Sequence, residues 1–365
     1  MKIFIFIGAT FLCVVGYVHA EVFVYPVAAL ESTHEIFVVC QKSINDLELY
    51  LVNEQTQESQ NILWSLYTPA HVQVLPSEDG FSFIDQGTVY IKKFEKRHPR
   101  AVSIMYPLHN INNMQWIDDY NFLYVAQEDN NAYNIFLSSS TGETTRLSYA
   151  ENIDFLYPQK IDSTLFSIIK NNITQEYAIA QFEIEQQDFI GKNQTNYAIL
   201  KYLKDPACFL YMLSPHEGFF LTYPKIVVLD GVHDHAYKFI CHHISKSENN
   251  TWQDEELFSF FILKDFITGS GPMRLYESLE RFVPNYMCKG MVLFLSADEF
   301  GQTTLYSYSL QNGAIEKKDE ESGKSGLNCL SILKRNSCAL TGSIKKENLR
   351  SGEDFNGVAF FKFKL

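Results

Sequence analysis

Beyond residue 20 the sequence has no apolar run long enough to cross a bilayer, no excess of basic residues and no regular spacing of cysteines. The first absence confines any hydrophobic anchor to the N-terminus, since a spanning helix needs about 20 predominantly apolar residues. The second speaks against nucleic acid as a partner: a phosphate backbone calls for a basic face, and here the formal charge is −13 and the isoelectric point about 5.2. The third leaves no disulfide framework to read from spacing. Cys40, Cys208, Cys241, Cys288, Cys329 and Cys338 follow residue 20. Most read as buried thiols; Cys329 and Cys338 flank one hairpin-like stretch and form the candidate disulfide.

The N-terminus is where apolar residues gather. Met1-Lys2 open the chain, an apolar stretch follows, and Val18 and Ala20 occupy the small-residue positions of a cleavage site. Residues 1–20 therefore read as an export signal with Glu21 as the mature start, and the protein is expected in a periplasm or outside the cell. An uncleaved anchor is the rival reading.

The stretch 114–148 sets the pattern for the rest. It reads as four strands, 114–117, 122–126, 133–138 and 144–147, each rich in β-branched and aromatic residues and separated by turn formers such as Thr141-Gly142. Four strands in about forty residues make one propeller blade. The residues opening the second strand of each unit are Ile36, Phe81, Phe122, Leu165, Phe219, Val292 and Ala339, at intervals of 45, 41, 43, 54, 73 and 47. The expected fold is thus all-β, a single seven-bladed β-propeller of four-stranded antiparallel blades over residues 21–365. The seventh unit lacks a fourth strand, and an open edge there calls for a cover. Residues 21–25 are the expected cover, pairing Val22 and Val24 with 358–363.

The long intervals place insertions at 224–235, 243–255 and 263–280, the last with apolar spacing that suits one short helix. A two-domain division near Gly269–Pro272 is the alternative to one ring.

Two hairpins carry a family likeness. Leu213-Ser214-Pro215-His216-Glu217-Gly218-Phe219 and Leu75-Pro76-Ser77-Glu78-Asp79-Gly80-Phe81 resemble the Ser-Pro-Asp-Gly turn of TolB-type, WD40-like propeller repeats. His216 displaces the acidic residue in the first. Asn134-Ile135-Phe136-Leu137, with Thr141-Gly142-Glu143 and Arg146-Leu147-Ser148, looks like the third and fourth strands of that repeat. The resemblance implies a propeller that binds proteins or peptides at the face of its ring, some members carrying a hydrolase domain besides. Gly269-Ser270-Gly271 is not the Gly-x-Ser-x-Gly nucleophile elbow of such a domain.

Candidate binding residues follow from the expected loops. Connections entering the blades bring Tyr67, His71, Tyr106 and His109, and connections between second and third strands bring Glu128, Asp129 and Asp298, to the mouth of the channel. His233 and His235 could share one face of an extended segment and offer imidazoles to a metal, with Asp234 or Asp230 as oxygen ligand; exposed loop histidines are the plainer reading, and no metal or cofactor is expected. Trp252, inside a polar insertion, has little core to join and reads as an exposed anchor. Trp64 and Trp116 read as packing between blades. The acidic pairs Asp118-Asp119 and Glu78-Asp79 fall in turns, where Asp favours the turn itself, so no catalytic pair is assigned. Asn172, Asn193 and Asn249 begin glycosylation acceptors.

The function that fits is a non-enzymatic binding module for a protein or peptide, a monomer or part of an envelope complex. The alternative is a propeller enzyme, a glycoside hydrolase or lyase acting on an extracellular or wall polysaccharide.

Overall fold

Among the described residues seven antiparallel sheets follow one another along the chain. The computed structural model describes residues 23–30, 35–43, 46–53, 56, 59–66, 70–85, 87–96, 98, 100–102, 109–127, 132–183, 196–229, 234–263, 286–288, 291–297, 303–317, 332–335, 338–344 and 358–364. The first sheet holds β1 (Phe23–Ala29), β2 (Glu35–Ser43), β3 (Asp46–Asn53) and β4 (Ser59–Leu66). The second holds β5 (Ala70–Val74), β6 (Gly80–Asp85), β7 (Thr88–Lys93) and β8 (Arg100–Ala101), and the third β9 (His109–Trp116), β10 (Asn121–Gln127), β11 (Tyr133–Ser139) and β12 (Thr144–Arg146). In the fourth are β13 (Ile153–Ile161), β14 (Thr164–Asn171), β15 (Tyr177–Glu183) and β16 (Ala198–Leu203). The fifth has five strands: β17 (Ala207–Ser214), β18 (Glu217–Thr222), β19 (Lys225–Leu229), β20 (Asp234–Lys246) and β21 (Trp252–Leu263). The sixth comprises β22 (Tyr286–Cys288), β23 (Met291–Ala297), β24 (Thr303–Ser309) and β25 (Ile315–Lys317), and the last β26 (Ile332–Arg335), β27 (Cys338–Ile344) and β28 (Val358–Lys364). Among the described residues there is no helix, and so none long and apolar enough to cross a membrane.

The blades pack face to face, which explains their burial. Second strands lie in the middle of a blade and are covered on both faces, so β10 and β14 are buried almost end to end. Fourth strands face outward: β8 and β25 are exposed throughout, and no residue of β16 is fully buried. The core is therefore a series of seams between sheets. One joins Leu123, Ile135, Phe155, Leu165 and Ala178 of the third and fourth blades; another joins Phe166, Ile168, Leu210, Phe220 and Ile244 of the fourth and fifth.

Polar side chains stitch the seams where first strands bulge. The Gln73 amide donates to the Met114 carbonyl and accepts from the Trp116 backbone N–H, while the Trp116 indole N–H donates to Ser82 Oγ at 2.7 Å. Gln159, just past the bulge in β13, accepts the backbone N–H of Met212. Asn113 and Tyr157 take left-handed φ values of 50° and 52° at the bulges of β9 and β13. Trp116 lies ring to ring with Phe122 of its own blade at 5.0 Å, and its indole bond to Ser82 makes it packing between blades, as expected.

Three expectations are corrected. Among the described residues six sheets are blades of four or five strands and the seventh sheet has three, so the expected seven four-stranded blades are six. Among the described residues the N-terminal strand does not cover the last blade: Val24 pairs with Cys40 in the first sheet, and β26 and β27 instead lie against β1, while Val22 lies outside the described residues. Pro26 obscured this, because a proline ordinarily ends a strand; here β1 continues through it with a bulge, on an edge where the missing N–H costs nothing. Neither are 224–235 and 243–255 plain loops. The first contains β19, and the second is the continuation of β20 and β21 around a tight turn closed by the Ser247 N–H on the Thr251 carbonyl at 2.8 Å. Its polar sequence belongs to a hairpin at the outer rim of a blade. Most of 263–280, and residues 1–20, lie outside the described residues.

Candidate binding face

Antiparallel order sorts the connections between two ends of the propeller. Turns from first to second strand and from third to fourth emerge at one end, the lower. Connections from second to third strand and from blade to blade emerge at the other, the upper. The described upper connections are 147–152, 172–176, 204–206 and the segment leading through β19.

These connections are held by hydrogen bonds. Ser148 Oγ accepts the Ile135 N–H at 2.8 Å, and the buried Asp154 carboxylate accepts the Tyr133 N–H at 2.9 Å. The Arg146 guanidinium lies 4.4 Å over the Tyr149 ring. Asn171 Oδ1 accepts from the backbone N–H groups of Ile173 and Thr174 at 2.9 and 3.0 Å, and the Asn172 N–H donates to the Asn152 carbonyl at 2.8 Å. Ile173 is thereby held 73% exposed on a fixed turn. Between the fourth and fifth blades Tyr177 meets Tyr223 edge-on at 6.2 Å, and the Tyr223 N–H donates to the Pro206 carbonyl at 2.7 Å. Burial raises the Tyr177 phenol above its usual range, with Asp154 and Cys208 adding to the effect.

The fifth blade rises above this rim. β20 pairs on one side with β18 through Cys241–Ser245 and then with β19 through 234–238, while β21 runs along its other side throughout. The upper part of β20, with β19 and the end of β21, forms a three-stranded arm. β19 exposes Ile226 and Val228 at 60% and 54%. This strand lay hidden in a stretch read as a loop, although the β-branched run Ile226-Val227-Val228 was the signal for it.

Of the expected binding residues, Tyr67, Tyr106, Glu128, Asp129, His233 and Asp298 lie outside the described residues, as do Cys329 and Trp64's side chain. His71 and His109 stand at the upper ends of β5 and β9, adjacent first strands. His235 pairs with Val228 in the arm. Trp252 begins β21 at the lower end, half-buried against the seam between the fourth and fifth blades. Cys208 and Cys241 are buried free thiols, pushed well above the ordinary thiol range by desolvation.

The acidic turns are lower-end turns, and their carboxylates serve the turn. Asp118 Oδ1 accepts from the backbone N–H groups of Tyr120 and Asn121, each at 2.8 Å. Asp79 takes Ser77 Oγ at 2.6 Å and pairs with Lys93. Also at this end, a hollow of about 370 Å³ opens among Thr164, Gln181, Phe182, Asn196, Tyr197 and Ala198. No cluster of three metal-ligating side chains occurs among the described residues.

His242 and His243 face opposite sides of their sheet. His243 Nε2 lies 2.9 Å from Glu217 Oε1. His242 stacks on Phe220 at 4.7 Å and 8°, and neither buried ring nitrogen has a hydrogen-bond partner. Burial lowers its pKa from 6.5, against an opposing pull from Asp254, Glu256 and Asp205. The unfolded chain therefore binds a proton that the fold resists, and stability present above pH 6.5 is lost as pH falls through the lowered folded value. His242→Phe, which keeps the stack, is expected to flatten the dependence of the urea midpoint between about pH 7 and 5. An unchanged slope would exclude His242 as its source.

No family profile matches this chain, and no curated protein is similar to it in sequence. Its fold is similar to solved β-propellers. A puromycin-hydrolysing peptidase of Mycobacterium tuberculosis matches with a TM-score of 0.59 at 8% identity, over 89% of this chain and 50% of its own. This chain spans about half the length of that peptidase. An oligogalacturonate lyase solved with manganese matches at 0.53 and 11%, over 94% and 90%. The β-propeller domain of the trilobed protease from Pyrococcus furiosus, described as having an open velcro topology, matches at 0.52 and 10%, over 93% and 95%. TolB from Acinetobacter baumannii and a putative TolB from Agrobacterium tumefaciens match at 0.43 and 0.47.

Proposed function

We propose that this chain is an exported propeller that binds a protein or peptide at its upper end. The observation that carries the reading is apolar surface held on fixed backbone: Ile173 on its hydrogen-bonded turn, and Ile226 and Val228 on a strand. Apolar side chains already ordered before contact bind without the cost of ordering them. Tyr67, His71, Tyr106, His109, Glu128, Asp129, His233, His235 and Asp298 belong to the same surface in this reading, and export removes residues 1–20. The test is position-dependent cross-linking in the native compartment. A photoreactive residue at 173 should capture a protein that one at 120, in a lower turn, does not. Capture from 120 alone, or turnover of an oligogalacturonate by the purified protein, would overturn the reading. Mass spectrometry of the exported protein should find Glu21 at its start.

A further inference from the structure

The arm of the fifth blade has an unfinished edge. Among the described residues β19 is hydrogen-bonded on one side only, to β20. Edge strands left in this state are templates for another strand, and proteins ordinarily blunt them with charge, proline or a bulge. β19 pairs in unbroken register from Lys225 to Leu229, with no bulge and no proline inside it. Its side chains divide by face. Ile226 and Val228 lie on one face, opposite Tyr237 and His235; Lys225 lies on the other, directly opposite Lys238.

The lysine pair indicates what the edge wants. Like charges directly opposite each other on paired strands repel. Lys225 Nζ lies 3.9 Å from Asp205 Oδ1 and is itself largely exposed, and Lys204 is exposed beside Asp205. In a chain of net charge −13 this is a locally basic spot at the root of an apolar edge. Resting on the binding reading above, we infer that the free edge of β19 receives an extended segment of a partner protein as an added strand. That segment alternates: apolar residues lie beside Ile226 and Val228, and on the other face, which Lys225 shares with Val227 and Leu229, an acidic residue is set toward Lys225 and Lys238. Backbone hydrogen bonds to the edge supply the affinity, and the alternation supplies the specificity.

A synthetic peptide alternating valine and glutamate is the probe, with a valine–lysine peptide as control. Amide hydrogen exchange of the mature protein should slow across β19 with the first peptide and not with the second. Ile226→Asp with Val228→Asp should weaken binding about tenfold or more, and Lys225→Glu by a smaller factor, both with the far-ultraviolet dichroism of the parent. If the double variant misfolds, Lys225→Glu with its exposed side chain still decides. No binding, or equal binding of both peptides, overturns the inference. So does a concentration-dependent dimer in sedimentation that Ile226→Asp abolishes, since the edge would then serve a second copy of this chain. Protection confined to 147–152 and 172–176 would remove the arm from the site while leaving the upper end as the binding face; protection confined to the lower turns would remove both.

Discussion

Phe239→Ala is expected to lower stability by about 3–5 kcal/mol, the usual cost of emptying a buried aromatic site that cannot collapse. Phe239 is fully buried and stacks on Phe260 with centroids 5.1 Å apart. Phe260 in turn meets Phe294 of the sixth blade at 5.8 Å, and Phe258 stacks on the same ring at 4.3 Å. The cavity would open where two sheets meet, with rigid strands on both sides and little freedom to fill it. A urea titration checks this: the midpoint should fall with the slope unchanged. A loss below about 1 kcal/mol would mean that the seam relaxes, contrary to its close ring stacking.

Gly80→Ala is the second large effect, and its cause is backbone contact. A methyl group there would sit 2.3 Å from the Lys92 carbonyl oxygen, which belongs to the paired strand β7 and cannot swing aside. Gly218, the matching residue of the fifth blade, would meet Met212 Sδ at 2.7 Å and the Tyr211 carbonyl oxygen at 2.8 Å. Forcing the strands apart should cost about 1–3 kcal/mol or more at either site. Gly87 separates this from simple strain: its φ is +74°, but open space surrounds it, so Gly87→Ala pays for a left-handed alanine alone, about 1–2 kcal/mol. A loss at Gly80 smaller than that at Gly87 would refute the contact argument. Gly80 and Gly218 end the Ser-Pro-Asp-Gly-like turns, so the motif marks a point where neighbouring strands leave no room for a side chain.

What could be read from the residues tracks burial. Second strands are apolar on both faces because blades cover both, and their starts at Phe81, Phe122, Leu165 and Val292 were legible to within a residue of β6, β10, β14 and β23. Outer strands expose one or both faces and lose that signature. The fourth strand β8 is two exposed residues long, with Val102 just beyond it donating its N–H to the Val89 carbonyl. The fifth blade misled for the same reason: His242, His243, Glu255 and Glu256 sit on a rim hairpin whose polar sequence resembles a loop. Trp252 seemed to lack a core because the buried cluster it packs against includes Phe166, Ile168 and Ile179 of the preceding blade. The upper connections were legible as a set, but the β19 edge was not, because an edge left open among the described residues is a property of pairing and leaves no mark on composition.

The placement of β1 bears on how such a wheel changes over generations. Because β1 pairs within its own sheet and only abuts β26 and β27, no wedge among the described residues is assembled from both the first and the last strands. Whole wedges can be gained or shed at either extremity without orphaning half of another, so circumference here is a matter of tally rather than of rewiring.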